Sequence, residues 1–456
     1  MTSSGKKRLV VVGAGPGGYE AALTGIAHGL DVTLIERGKL GGTCLNWGCV
    51  PTKFLLGATA PLHMLEAQAK HKIYTDGVQA DLSAIQEKKK KLIAGTHTAM
   101  ADNLARLGAR LVAGNVTGVA KDAVRVSIHG KDEDIPYDAL ILAIGSRAAS
   151  FPSIKPDGKA VLGVAPVLDF PEPPKSLILV GAGPIGLELS EVYHRLGAKI
   201  TLVDAAPRLA PAEDPDVGKV VSQVMRKKGM DARAGVKVES LVTEDGQAVL
   251  TLAGGEVIRA EKALVAIGRF AFPPLPGLED LGVAFGAPAP RKAFIQTDAF
   301  LQAAPNIYAV GDCNGRILLA HPAANQGNYA ARHAAGAVTE PYDSGPVAGC
   351  YYGVPEIMRV GKVPAPGDTI SEALFIANPI AQAYAETAGF ARATWENGRL
   401  VGLTAVGHGA SAMGTLATVM VAEGWTRDKA ETFMFPHPTA EEVLRAALLA
   451  ERKIKA

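Results

Sequence analysis

Short apolar runs that end in glycine are the dominant pattern of this chain. Leu9–Val12 runs into Gly13-Ala-Gly-Pro-Gly-Gly, and Leu177–Val180 runs into Gly181-Ala-Gly-Pro-Ile-Gly. Each run predicts a buried strand, and each glycine cluster a tight turn that opens a helix. A further apolar run follows each helical stretch, Val32–Ile35 in the first copy and Ile200–Val203 in the second. Both end in a carboxylate, Glu36 and Asp204. Gly13, Gly15, Gly18 and Glu36 map onto Gly181, Gly183, Gly186 and Asp204 at one constant offset of 168 residues. One strand–turn–helix–strand unit is therefore present twice.

Elsewhere the pattern shifts. Residues 54–110 read as mostly helical, with a loop near Tyr74–Val78. Residues 111–144 read as short strands closing in the apolar run Ala139–Ile144 before Gly145. The stretch Phe170–Pro174 suggests a boundary, and residues 277–340 return to strand, turn and helix. After Pro341, strands are expected near 350–360, 373–376, 390–395 and 400–406, and helices at 411–423, 427–433 and 440–453. The expected fold is α/β, with domains at 1–150, 151–276, a segment 277–340 completing the first, and a C-terminal α+β domain at 341–456.

The glycine pattern has a mechanical reading. The first glycine permits the turn, the second lets the backbone approach a pyrophosphate, and the third lets helix and strand pack closely. The anion then sits at the positive end of the helix, and the carboxylate receives ribose hydroxyls. Two such units predict two Rossmann-like dinucleotide-binding domains. Asp204 favours NAD, because a carboxylate there repels a 2′-phosphate. Arg208, four residues on, is the one nearby cation that could favour the phosphorylated form.

Charge narrows the partners. The net charge is +2 and no basic tract carries interleaved aromatics, so neither nucleic acid nor a membrane surface is indicated. Lys88–Lys91 is the one charge block, and it reads as a solvated helix face. No apolar run is long enough for a spanning helix or a signal-peptide core, so a cytoplasmic location is expected.

Four cysteines occur, and two of them, Cys44 and Cys49, lie within Gly41-Gly-Thr-Cys-Leu-Asn-Trp-Gly-Cys-Val-Pro-Thr-Lys53. In an ideal helix their Cα atoms would be about 8.6 Å apart. A disulfide needs roughly 7 Å or less, so the intervening segment must be distorted, with Gly48 supplying the freedom. No metal is expected, since no second Cys or His pair stands at ligand spacing. Buried structural thiols remain open, but a redox pair suits the glycine-rich setting just after the first dinucleotide motif.

This segment resembles the active-site signature of the class I pyridine nucleotide–disulfide oxidoreductases, and the resemblance runs over essentially the whole chain. It implies that Gly13, Gly15, Gly18 and Glu36 hold the adenosine diphosphate half of FAD. Cys49 would face the flavin and Cys44 would exchange with substrate. Lys53 would lie near the flavin and pair with Glu188. Asp312, closing Ile307-Tyr-Ala-Val-Gly-Asp, would meet the ribityl chain, with Leu319-Ala320-His321 along the ring. Gly42, Thr43, Gly145 and Gly268 complete the expected cofactor contacts. His437 and Glu442 resemble the family's acid–base dyad, with His437 serving the partner subunit of a homodimer and His437–Pro438 in the cis form. Cys313 matches no family thiol.

The branch most resembled is the dihydrolipoamide dehydrogenases, since the C-terminus lacks the cysteine pair of mercuric reductases. That implies NAD-linked oxidation of lipoyl domains from 2-oxoacid dehydrogenase or glycine-cleavage complexes. Two alternatives stay open: reduction of another small disulfide of glutathione or CoA type, and an FAD-containing binding or assembly component without turnover. Trp47, Ala143-Ile144-Gly145, Asn325–Gln326 and Ser411-Ala412-Met413 depart from the usual family pattern.

Overall fold

The protein is described by a computed structural model covering residues 5–69, 78–286 and 294–456. The loop expected at Tyr74–Val78 lies, apart from Val78, outside the described residues. The chain divides into two compact units: Met1–Pro51 with Glu87–Ala149 and Arg269–Ser344, and Thr52–Gln86 with Ser150–Gly268 and Gly345–Ala456.

The first unit is built on a six-stranded sheet. Its order is Gln302–Ala304, Ile307–Ala309, Ala139–Leu142, Arg8–Val12, Asp31–Glu36, Arg110–Ala113. Arg8–Val12 pairs in parallel on both sides, with Val12 opposite Ile35 and Leu142. The strand order therefore reverses beside Val12, which is where doubly wound sheets open a crevice for ligands. Helix α1 (Pro16–Ala27) starts there with Pro16 in its first turn, where the missing N–H costs nothing. It buries Gly17, Gly18, Ala21, Ala22 and Gly25. These small residues admit the helix Ala320–Ala334 so closely that a Cβ at Gly327 would lie 2.1 Å from Gly17 O. Helix α2 (Gly42–Trp47) and the start of α3 (Cys49–Ala69) follow, and α4 (Leu82–Arg106) returns along the chain.

The second unit repeats the plan in a five-stranded parallel sheet. Its order is Asp231–Ala234, Lys199–Asp204, Ser176–Val180, Lys262–Val265, Val161–Leu162. Val161–Leu162 pairs with Ala263–Leu264 across the proline-rich stretch. Phe170–Pro174 is thus an internal loop of this unit rather than a boundary. A six-stranded antiparallel sheet forms the C-terminal part, with Lys453–Ile454 as its edge strand against Thr369–Ile370. The helix expected at 440–453 therefore stops early, spanning Glu442–Leu449, and the strand expected at 373–376 is Thr369–Leu374. Apolarity alone could not separate these short segments, because strand and helix ends share composition. Lys89 also departs from expectation: it is buried while Lys88, Lys90 and Lys91 are exposed.

Candidate functional site

The two glycine turns have matching geometry. Gly13 has φ +98° and a Cβ there would lie 2.4 Å from Ala143 O; Gly181 has φ +112° and would meet Ala266 O at 2.3 Å. A Cβ at Gly18 or Gly186 would fall 1.8 Å from the carbonyl of the first glycine of its own turn. Any larger residue would separate helix from strand. The middle glycines differ in kind. At Gly15 the nearest heavy atom is 4.0 Å from an added Cβ, and at Gly183 none lies within that distance. Each caps its helix without a side-chain hydrogen bond, so first-turn N–H groups are left for an anion.

The carboxylates are clamped. Ala14 N–H donates to Glu36 Oε2 and Gly38 N–H to Oε1, each at 2.7 Å. In the second copy, Ala182 N–H donates to Asp204 Oδ2 at 2.5 Å and Ala206 N–H to Oδ1 at 2.7 Å. Each oxygen keeps a second lone pair for a ribose hydroxyl. Arg208 is turned to the protein, its Nη2 donating to Pro211 O at 3.1 Å and Glu213 O at 3.3 Å. The residues fit one adenine dinucleotide per unit.

The cysteine segment begins against the first turn. Gly42 has φ +54°, and a Cβ there would meet Gly15 Cα at 2.8 Å. Helix α2 carries Thr43 and Cys44 and is broken at Gly48, whose φ of −142° and ψ of −113° are not helical. Gly48 folds back so tightly that a Cβ would sit 3.0 Å from Thr43 O and 3.5 Å from Cys44 Cα. This is the distortion that the spacing of the cysteines demands. The structure holds both cysteines as thiols, Cys44 partly buried and Cys49 exposed. Cys313 is buried and donates to Leu142 O and Val310 O, and burial pushes its thiol up to about 12. That thiol is inert at neutral pH.

Asp312 is held by two residues that sequence reasoning missed. Ser146 Oγ donates to Asp312 Oδ2 at 2.5 Å, and Arg269 Nε lies 2.6 Å from Ser146 Oγ and 3.2 Å from Asp312 Oδ2. Arg269 Nη2 also donates to Ser146 O at 2.6 Å. Gly145, beside Ser146, has φ +71°, and Ala320 opens its helix without a side-chain cap. An Arg that opens a three-residue strand, 43 residues from its carboxylate, has no periodic signature that could have revealed it.

In the second unit, Lys53 Nζ donates to Glu188 Oε2 at 2.7 Å and lies 4.4 Å from the centre of the Tyr352 ring. Tyr352 N–H donates to Glu188 Oε1 at 3.1 Å, so both oxygens of this buried carboxylate are engaged. Gly268, with φ +112°, lies between the strands Lys262–Val265 and Arg269–Ala271. Near the C-terminus, His437 Nδ1 lies 3.0 Å from Glu442 Oε2 and 3.1 Å from Oε1. Thr439 N–H also donates to Glu442 Oε1, and this bond and His437 hold the carboxyl below its usual range. The His437 side chain is 72% exposed in the single chain, and the His437–Pro438 bond is cis.

No helix among the described residues is long and apolar enough to cross a membrane. Residues 7–327 match the pyridine nucleotide-disulphide oxidoreductase family, and residues 347–448 match its dimerisation domain. The chain is 32% identical over 458 residues to a dihydrolipoyl dehydrogenase of Bacillus subtilis, covering 97% of this chain and 98% of the relative. It is 30% identical over 453 residues to that of Chlorobaculum tepidum, covering 96% of each. Among solved structures, LpdA from Mycobacterium tuberculosis superposes with a TM-score of 0.87 at 26% identity, covering 97% of this chain and 99% of that one. The HOCl-induced flavoprotein disulfide reductase RclA from Escherichia coli shares the fold, with a TM-score of 0.84 at 22% identity over 97% of this chain and 99% of its own. Duplicated nucleotide turns, a cysteine pair set against the first of them and a dimerisation domain place the chain in the pyridine nucleotide-disulphide oxidoreductase family.

Proposed function

We propose that the chain is a dihydrolipoyl dehydrogenase, oxidising dihydrolipoamide on lipoyl domains with NAD as acceptor. The observation that carries this is Gly48, the residue before Cys49, folded onto Thr43 O and Cys44 Cα in the segment that starts against the Gly15 turn. The names of full-length relatives at 30–32% identity support the substrate. The Asp204 clamp and the inward-turned Arg208 support NAD over its phosphorylated form.

The cycle starts with Cys44 and Cys49 joined. One thiolate of the substrate attacks Cys44 Sγ, the sulfur–sulfur bond breaks, and Cys49 leaves as thiolate. The second substrate thiolate attacks the sulfur bound to Cys44, closing the cyclic disulfide and releasing the Cys44 thiol. Two electrons have passed from substrate to the cysteine pair. His437 takes the proton of the incoming dithiol at Nε2, because Nδ1 is committed to Glu442. FAD, when bound, supplies the two-electron relay from this pair to NAD, which leaves reduced with release of one proton. Gly13, Gly15, Gly18 and Glu36 would hold its adenosine diphosphate portion, Asp312 its ribityl chain, and Lys53 would stand by the ring.

The reading places the protein in the cytoplasm as a homodimer in which His437 serves the partner's cysteine pair. Its partners are lipoyl domains of 2-oxoacid dehydrogenase or glycine-cleavage complexes. Steady-state assays decide it: dihydrolipoamide with NAD should turn over fastest. Faster turnover of glutathione disulfide or CoA disulfide, in assays with either reduced nicotinamide, would replace lipoamide as the substrate. Flavin without turnover of any of them would leave only a binding role.

A further inference from the structure

One side chain between the two cysteines is gripped from three sides. Asn46 Nδ2 donates to Leu40 O and to Gly42 O, both at 2.9 Å. Asn46 Oδ1 lies 2.9 Å from His97 Nε2, which projects from α4. Carbonyl oxygens only accept, so the amide must turn its NH2 to Leu40 and Gly42 and its oxygen to His97. His97 Nε2 therefore carries the hydrogen and donates it, whether the ring is neutral or charged. Helix α4 is itself fastened to α1, Asn103 Nδ2 donating to Tyr19 Oη at 3.2 Å. The bond from His97 is thus a tie between a docked helix and the cysteine segment.

The segment needs such a tie. Gly48 permits the fold-back but does not impose it, because glycine has many conformations of similar energy. A disulfide forms only within a narrow geometry, with sulfurs near 2.05 Å and Cα atoms within about 7 Å. We propose that His97 is a positioning residue for the redox step: by donating to Asn46 it holds the backbone from Gly42 to Gly48 in the arc that lets Cys44 and Cys49 join. Closure removes two electrons and two protons from the pair, delivered in a test to an added disulfide. The inference rests on the reading that this pair cycles.

Thiol trapping tests it directly on the full-length, flavin-loaded protein. The protein is equilibrated in graded ratios of oxidised to reduced dithiothreitol, alkylated and weighed by mass spectrometry. His97→Leu removes the donor and loosens the segment in the dithiol form, so closure must re-order it and the midpoint ratio should shift about tenfold toward the dithiol, the cost of fixing roughly one residue's backbone. His97→Gln keeps an N–H at the same reach and should stay within about threefold of the parent. Asn46→Ala, which also loses the bonds to Leu40 O and Gly42 O, should shift the ratio at least as far, and adding His97→Leu to it should change nothing more. Melting temperature and bound flavin, measured alongside, report any general damage. Equal midpoints for parent and His97→Leu, or equal shifts for Leu and Gln, would overturn the role of the donor. Additive effects of the Asn46 and His97 changes would overturn the route through Asn46. A parent pair that never closes would instead remove the functional reading itself.

Discussion

At Asp312 a single arginine decides how firmly a carboxylate is aimed. Arg269 Nε contacts both Ser146 Oγ and Asp312 Oδ2, and Nη2 binds Ser146 O. Arg269→Met keeps the bulk and loses those donors, leaving Asp312 with one hydroxyl. A charge-assisted bond of this kind is worth about 1.5–3 kcal/mol, so flavin affinity should fall about tenfold or more. The ratio of flavin to protein absorbance after dialysis reports it, and full flavin retention would deny Arg269 any hold on the site. The dyad behaves differently. His437→Gln removes the base we propose but leaves the cysteines intact. Reduction by dihydrolipoamide should slow by about a hundredfold or more, while reduction by NADH proceeds at the parent rate. Stopped-flow traces of the two half-reactions separate these outcomes, and equal slowing of both would remove His437 as the base.

Among elements, the two glycine turns were legible because steric demand leaves one residue type at each position. Gly13, Gly18, Gly181 and Gly186 all sit where a Cβ would strike a backbone carbonyl. Nothing comparable announces Arg269, Ser146 or His97, whose partners lie 43 to 166 residues away in sequence. Their roles depend on how strands and helices pack, which no local pattern encodes. The boundaries missed at 373–376 and 440–453 have another cause, since edge strands and helix ends share residue types. The duplication also makes a prediction at this level. Gly186→Ala would push a methyl into Gly181 O and displace the helix Pro184–Arg195 from its strand, without touching the Gly13 turn. KM for NAD should rise about tenfold or more while flavin content holds, since the lost fit lies at one pyrophosphate site. Loss of flavin together with NAD affinity would show that the two turns are not independent.

At the scale of the molecule, two buried charge networks tie the part built on the five-stranded parallel sheet to the C-terminal sheet within the second unit. Arg392 Nη1 donates to Asp214 Oδ2 at 2.6 Å and Nη2 to Glu372 Oε2 at 2.5 Å, with Lys455 Nζ also on Asp214. In the other network Glu386 stands between two imidazoles, His63 Nε2 at 2.9 Å and His408 Nδ1 at 3.2 Å, while Tyr384 stacks on His408. Lys228 Nζ lies 3.4 Å from His63 Nδ1 and 2.6 Å from Glu191, which Arg195 also contacts. Burial opposes the charge of Glu386, but the hydrogen bonds from His408 and His63 outweigh it and draw its carboxyl down to about 2. The same bond to Glu386 outweighs burial at His408 and raises that imidazole.

The signs then fix a pH window. Glu386 titrates near 4.5 when unfolded, so its contribution is complete above that pH and is lost as pH falls toward 2. His408 titrates near 6.5 when unfolded, so its contribution is complete below that pH and is lost as pH rises through its raised folded value. Together they favour the folded chain most between these two values. Glu386→Gln should remove at most about 3 kcal/mol, the worth of the carboxyl's shift, and should flatten both arms of the profile. His408→Asn should flatten the alkaline arm and also shrink the acid arm, because His408 supplies part of the pull on Glu386. Thermal melts of the holoenzyme from pH 4 to pH 9, read beside the parent, check both expectations. An alkaline decline that persists unchanged in His408→Asn would place its origin outside His408.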